Sequence, residues 1–144
     1  MKIFASTSFS SQVNYDTGEV LPEFRDYLER QLSLIEKVTG GGTVWNALRY
    51  ENYKINDETP GEAFQAAFNE IKQCDLFIAF LSKKISAGVQ MEIGMAVTLG
   101  KPIILARPDD AKVEYFNNAM IQAELAKEIA LPLNENELRK AIEK

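Results

Sequence analysis

One stretch of the chain combines residue types that can do chemistry. It runs Ser86-Ala87-Gly88-Val89-Gln90-Met91-Glu92-Ile93-Gly94-Met95-Ala96-Val97-Thr98-Leu99-Gly100-Lys101-Pro102. Glu92 is a carboxylate in an otherwise apolar helical pattern. Its neighbours three and four residues away are Gly88, Val89, Met95 and Ala96, and none of them can pair with it along a helix. Gly88 and Ala96 are small, so another group can approach the backbone there. Burial on such a face would push the carboxyl's pKa upward, which makes Glu92 the first candidate for catalytic work. The alternative is a glutamate at the helix edge, solvated or bonded to a loop amide. Ser86 is placed to cap this helix, and the free amides that follow form a potential anion site. Gly88 would let a phosphate come close to the backbone. Against that stands an ordinary reading, in which Ser86 is only a cap and Gly88 only marks a turn.

What the sequence lacks narrows the chemistry. It contains no histidine, so a Ser-His-Asp triad, a Cys-His dyad and any histidine metal site are excluded. Acid–base or nucleophilic catalysis falls to carboxylates, Lys, Tyr or Cys. Cys74 is the single cysteine; it allows no intramolecular disulfide and reads as a small core residue at a helix–strand junction. The net charge of −5 lacks the basic balance of a nucleic-acid binder. The opening Met1-Lys2-Ile3-Phe4-Ala5 is too short an apolar run for a signal peptide. No stretch reaches the roughly 18 apolar residues of a membrane span. The expectation is a cytoplasmic protein with no nucleic-acid and no membrane partner.

The elements that must position Glu92 follow from periodicity. The 144 residues, 46% hydrophobic and 26% charged, suit one soluble domain over residues 1–144. Lys2 to Ser6 reads as a buried strand, followed by a hydroxyl-rich loop from Ser6 to Ser11. Pro22 starts a helix carrying Phe24, Tyr27, Leu28, Leu32 and Ile35 at helical spacing. Gly40-Gly41-Gly42 stops it. Thr43 to Leu48 is expected to be the second strand, with Trp45 in the core, and Arg49 to Thr59 a loop. Pro60 opens a helix with Phe64, Ala67, Phe68 and Ile71 on one face. Asp75 to Leu81 is continuously apolar after its first residue, as suits a central strand covered on both faces. Ser86 to Leu99 is a helix ended by Gly100, and Pro102 to Ala106 is the fourth strand. Glu114 to Lys127 reads as helix and Glu128 to Leu131 as a short fifth strand. Asn134 caps a last helix whose Glu135, Glu137 and Glu143 mix with Arg139, Lys140 and Lys144 as a solvated face. Alternating strands and helices predict an α/β fold: a doubly wound, flavodoxin-like, five-stranded parallel sheet with helices on both faces. The loops after the first three strands should line any ligand site.

Asp75-Leu76-Phe77-Ile78-Ala79, then Ser86-x-Gly88-x-x-x-Glu92-Ile93-Gly94-x-Ala96, then Gly100-Lys101-Pro102-Ile103-Ile104 resemble the nucleoside 2-deoxyribosyltransferase superfamily, which includes the nucleotide N-glycosidases. The resemblance is sharpest from about Asp75 to Pro108. It implies that Glu92 attacks the anomeric carbon and forms a glycosyl-enzyme intermediate. It implies that Ser86 and Gly88 help hold a 5′-phosphate. Asn118, in Asn117-Asn118-Ala119-Met120-Ile121, matches a polar residue that reaches a neighbouring subunit's site. The hydroxyl-rich loop makes Ser6 and Ser8 further substrate-binding candidates. The implied partner is a small-molecule nucleoside or nucleotide, in a homodimer or higher homo-oligomer, with no cofactor and no metal. Such chemistry needs a carboxylate nucleophile and an acid for the leaving group, and no histidine.

Two positions depart from the family's pattern. Ala67 stands where the family carries an Asp. Ile3-Phe4-Ala5-Ser6 offers no aromatic hydroxyl near the end of the first strand. Tyr15, Tyr50 and Tyr53 are possible substitutes for the hydroxyl, and Asp57, Glu58 and Glu62 for the acid. Two other classes of function therefore stay open: a non-catalytic nucleotide-binding module, which Ala67 favours, and a TIR-like NAD glycohydrolase, whose glutamate also follows the third strand.

Overall fold

The computed structural model describes residues 1–55 and 59–143. Five strands, β1 (Lys2–Thr7), β2 (Thr43–Trp45), β3 (Leu76–Phe80), β4 (Ile103–Pro108) and β5 (Ala126–Leu131), form one sheet in the order β2-β1-β3-β4-β5. Every pairing is parallel. The helices are α1 (Pro22–Val38), α2 (Ala47–Tyr50), α3 (Pro60–Gln73), α4 (Ala87–Thr98), α5 (Tyr115–Gln122) and α6 (Glu135–Ile142). This is the expected doubly wound, flavodoxin-like arrangement. The order reverses at β1, so the crevice outside the carboxyl ends of β1 and β3 is the switch point where ligands of such sheets bind.

Side-chain alternation along the strands builds two cores, one on each face. Ile3, Ala5, Ile78 and Ile104 join Leu28, Leu32 and Ile35 of α1 and Leu138 of α6. Phe4, Phe77, Ala79 and Leu105 join Ile71 of α3 and Val89, Ile93 and Ala96 of α4. β3 is buried at every position, as its uninterrupted apolar run predicts. Cys74 is buried, and Trp45 packs on the second core beside the ring of Phe4.

Two elements depart from the sequence expectation. The second strand ends at Trp45 rather than Leu48. Asn46 takes over there: its Oδ1 accepts from the amides of Leu48 (3.1 Å) and Arg49 (3.2 Å), capping α2, which occupies the start of the expected loop. The fifth helix ends at Gln122 rather than Lys127. Glu124 turns the chain at φ 59°, and Ala126 and Lys127 pair with Ile103 and Ile104 of β4. Local helix preference in Leu125-Ala126-Lys127 gives way to an open sheet edge that gains backbone hydrogen bonds and buries Ala126.

Candidate active site

Side-chain alternation puts Ser6 on the same face as Phe4, toward α4. Ser6 ends the buried part of β1 and is 2% exposed. On the other side, Ser86 caps α4 as expected, its Oγ accepting from the amide of Val89 at 3.3 Å. One and a half turns into α4, Glu92 returns toward the end of β1. The Ser6 hydroxyl donates to Glu92 Oε1 at 2.7 Å. Glu92 is the only charged residue of α4.

The pair lies in a cleft of about 400 Å³. Ser6 and Ser8 form one wall, and Ser86, Gly88 and Glu92 the other. Five of the six sequence-derived site residues therefore meet in one place. Beyond its chain neighbours and its own helix backbone, a Cβ at Gly88 would meet nothing closer than Ser86 Oγ at 3.9 Å, and the residue lines the cleft. The sixth residue, Asn118, is exposed on α5 and does not line the cleft. Its neighbour Asn117 is the buried one, with an Oδ1 that finds no partner among the described residues.

The rest of the cleft is mostly apolar. Phe64, Ala67 and Phe68 of α3 face Met91 and Met95 of α4. Phe64 and Phe68 lie parallel, at 2° and 6.4 Å between centroids. The sequence placed both with Ile71 on a single apolar helix face; only Ile71 is fully buried, and the two rings line the cleft. Their helical spacing from Ile71 gave no means of separating core from cleft wall. Ala67, where the resemblance leads one to expect an Asp, sits in the cleft wall.

Burial raises the Glu92 carboxyl above its ordinary range, and the Ser6 hydrogen bond acts in the opposite, smaller direction. No cation contributes. Among the described residues, Glu92 is the only ionisable side chain lining the cleft. The possible substitutes lie elsewhere. Tyr15 donates its hydroxyl to the Ser10 carbonyl at 2.7 Å. Tyr53 donates to Glu29, and Tyr50 packs beside Trp45. Glu62 is exposed outside the cleft. Asp57 and Glu58 lie outside the described residues.

A hydroxyl-lined, largely apolar cleft with one poised carboxylate can hold a planar ring against the α3 side. It can place a sugar carbon over Glu92 and receive an anion at the start of α4. Several solved structures are similar to this chain in fold. The CMP N-glycosidase BcmB of Clostridium botulinum is 23% identical with a TM-score of 0.66, over 97% of this chain and 96% of that one. BlsM, known from a solution structure, is 25% identical with a TM-score of 0.74, over 98% and 88%. A conserved protein of Enterococcus faecalis is 21% identical with a TM-score of 0.62, over 99% and 96%. A search of curated proteins gave no significant match. Residues 18–134 match the family model described as nucleoside 2-deoxyribosyltransferase, a span that holds β2 to β5 and Glu92. The chain belongs to the nucleoside 2-deoxyribosyltransferase family.

Proposed function

We propose that the protein breaks or exchanges the N-glycosidic bond of a nucleoside or nucleotide, with Glu92 as the nucleophile. One observation carries the reading: a carboxylate with no cationic partner stands in the cleft at the sheet's switch point, held by a single hydroxyl. Glu92 would attack the anomeric carbon while the C–N bond breaks, the base leaving with the bonding electrons and taking its proton from solvent water. A glycosyl ester on Glu92 results, and water or a second base then resolves it. Phe64 and Phe68 supply ring faces for the base. Ser86, Gly88 and the α4 amides hold the 5′ end, and a phosphate there would meet the positive end of the helix. Ser8 faces the sugar, beside the Ser6 hydroxyl that holds Glu92. Asn118, exposed on α5, completes the site of a second copy in a homodimer or larger homo-oligomer. The compartment is the cytoplasm. No helix among the described residues is long and apolar enough to cross a membrane.

Ala67 supports a second reading, a nucleotide-binding module that no longer reacts. The two separate on base release from a panel of nucleosides, nucleoside 5′-monophosphates and NAD, comparing wild type with Glu92→Ala. Release that disappears in the variant supports the enzyme, and the best substrate names the branch. An active NAD sample with silent nucleotides favours the glycohydrolase alternative. Ligand binding without release from any member leaves the module.

A further inference from the structure

We propose that Ser6 is a positioning residue for Glu92, fixing one carboxylate oxygen so that the other faces the reacting carbon. The inference deepens the proposed function and rests on Glu92 being its nucleophile. The geometry joins two residues 86 positions apart in the chain. Ser6 is almost fully buried, and its hydroxyl has one proton to donate, which goes to Glu92 Oε1 at 2.7 Å. Glu92 Oε2 has no partner among the described residues and stays open to the cleft.

The donor is itself held. Asn46, 1% exposed, donates from Nδ2 to the carbonyl of Ala5 at 2.9 Å. Its Oδ1 is occupied by the two α2 amides. The backbone immediately before Ser6 is therefore tied to the end of β2 as well as paired to β3, where Ser6 stands opposite Ala79. A glutamate has three side-chain torsions to restrain. A hydroxyl on a fixed strand restrains them from the far side of the cleft and leaves the approach to Oε2 clear.

The same bond selects the ionised carboxylate, because a donor to the charged form favours it. Nothing else nearby does. Around Glu92 stand Phe4 of β1, Phe64, Ala67 and Phe68 of α3, and Met91 and Met95 of α4, and none of these ionises. On β1 the only charged residue is Lys2, whose ammonium bonds Gln73 at the opposite end of the strand. On α3, Glu62, Glu70 and Lys72 lie outside the cleft.

The test titrates Glu92 by NMR in protein labelled with ¹³C at the glutamate carboxyl, with its signal assigned by Glu92→Gln. Wild type is compared with Ser6→Ala and Ser6→Thr, alongside the pH dependence of kcat/KM on the best substrate. We expect the Glu92 midpoint to move upward in Ser6→Ala and to return toward wild type in Ser6→Thr. The acid limb of kcat/KM should follow in the same order, with roughly a tenfold loss in kcat and little change in KM. If Ser6→Ala does not fold, Ser6→Cys keeps the size with a weaker donor and should shift the midpoint the same way. An unmoved midpoint in the folded variants overturns the inference, as does a loss confined to KM. A moved midpoint with no base release from wild type keeps the hold of Ser6 on Glu92 and sinks the enzyme reading instead.

Discussion

The two faces of the sheet each carry a half-buried carboxylate, and the surroundings of the two are opposites. On the α1 side, Glu29 receives two nitrogens of Arg49 at 3.0 Å each. It also accepts from the Tyr53 hydroxyl, while Arg49 reaches on to Glu36 and Arg25 lies over the Tyr53 ring at 5.1 Å. The Arg49 hydrogen bond, more than any other influence, holds the Glu29 carboxyl below its ordinary range. On the α4 side, Glu92 has one neutral hydroxyl for company, and burial holds its carboxyl above the ordinary range. A carboxylate with its charges matched is architecture: it pins α2 and the turn after it to α1. A carboxylate left unmatched costs stability and persists where reactivity is useful.

That contrast can be broken most sharply at its two centres. Replacing Glu92 by Gln should lower base release by at least about a thousandfold in a quantitative assay while the protein stays folded. Replacing Arg49 by Ala should do the reverse. Stability should fall by about 1–2 kcal/mol in urea denaturation, and residual catalysis should be far less affected. The cost stays below that of a fully buried pair because the Glu29 and Glu36 side chains are 38% and 36% exposed.

The two carboxylates also predict opposite pH slopes. The folded pKa of Glu29 is lowered, so its stabilisation is present above the unfolded carboxylate pKa and is lost as pH falls through the folded value. The folded pKa of Glu92 is raised, so its contribution is full below the unfolded pKa and is lost as pH rises through the folded value. Thermal melts should show Glu29→Gln flattening the acid side of the stability curve. Glu92→Gln should gain a few degrees at neutral pH and lose that advantage in acid. The smallest effect belongs to the start of α4. Ser86→Ala should cost about 0.5–1 kcal/mol through the lost cap and should weaken 5′-monophosphates more than the matching nucleosides in titration calorimetry.

Much of this was legible in the residues, for local reasons. The uninterrupted Leu76 to Phe80, the proline starts at Pro22 and Pro60 and the glycine stop at Gly100 each encode an element within a few positions. Alternation then dictated a parallel sheet. Glu92 stood out because a helix shows its own neighbours at three and four residues. Elements whose limits depend on distant partners were misread. Asn46 ends β2 early because it faces the Ala5 carbonyl, and Ala126 leaves its helix because β4 offers an edge. The pairing of Ser6 with Glu92 had no local trace at all, since each was identified separately as a site residue. The Arg49 cluster was equally hidden, because its hydrogen-bonded pairs are 13 to 24 positions apart.

The hydrogen bond between residues 6 and 92 spans 86 positions of chain. It therefore acts as a reporter on assembly. β1 must pair with β3 and α4 must dock before the two groups meet, so neither terminal half holds the centre by itself. Loop closure over such a distance is slow compared with forming any single helix. Helical signal should therefore return early in refolding, and a normally titrating Glu92 should be among the last native properties to appear.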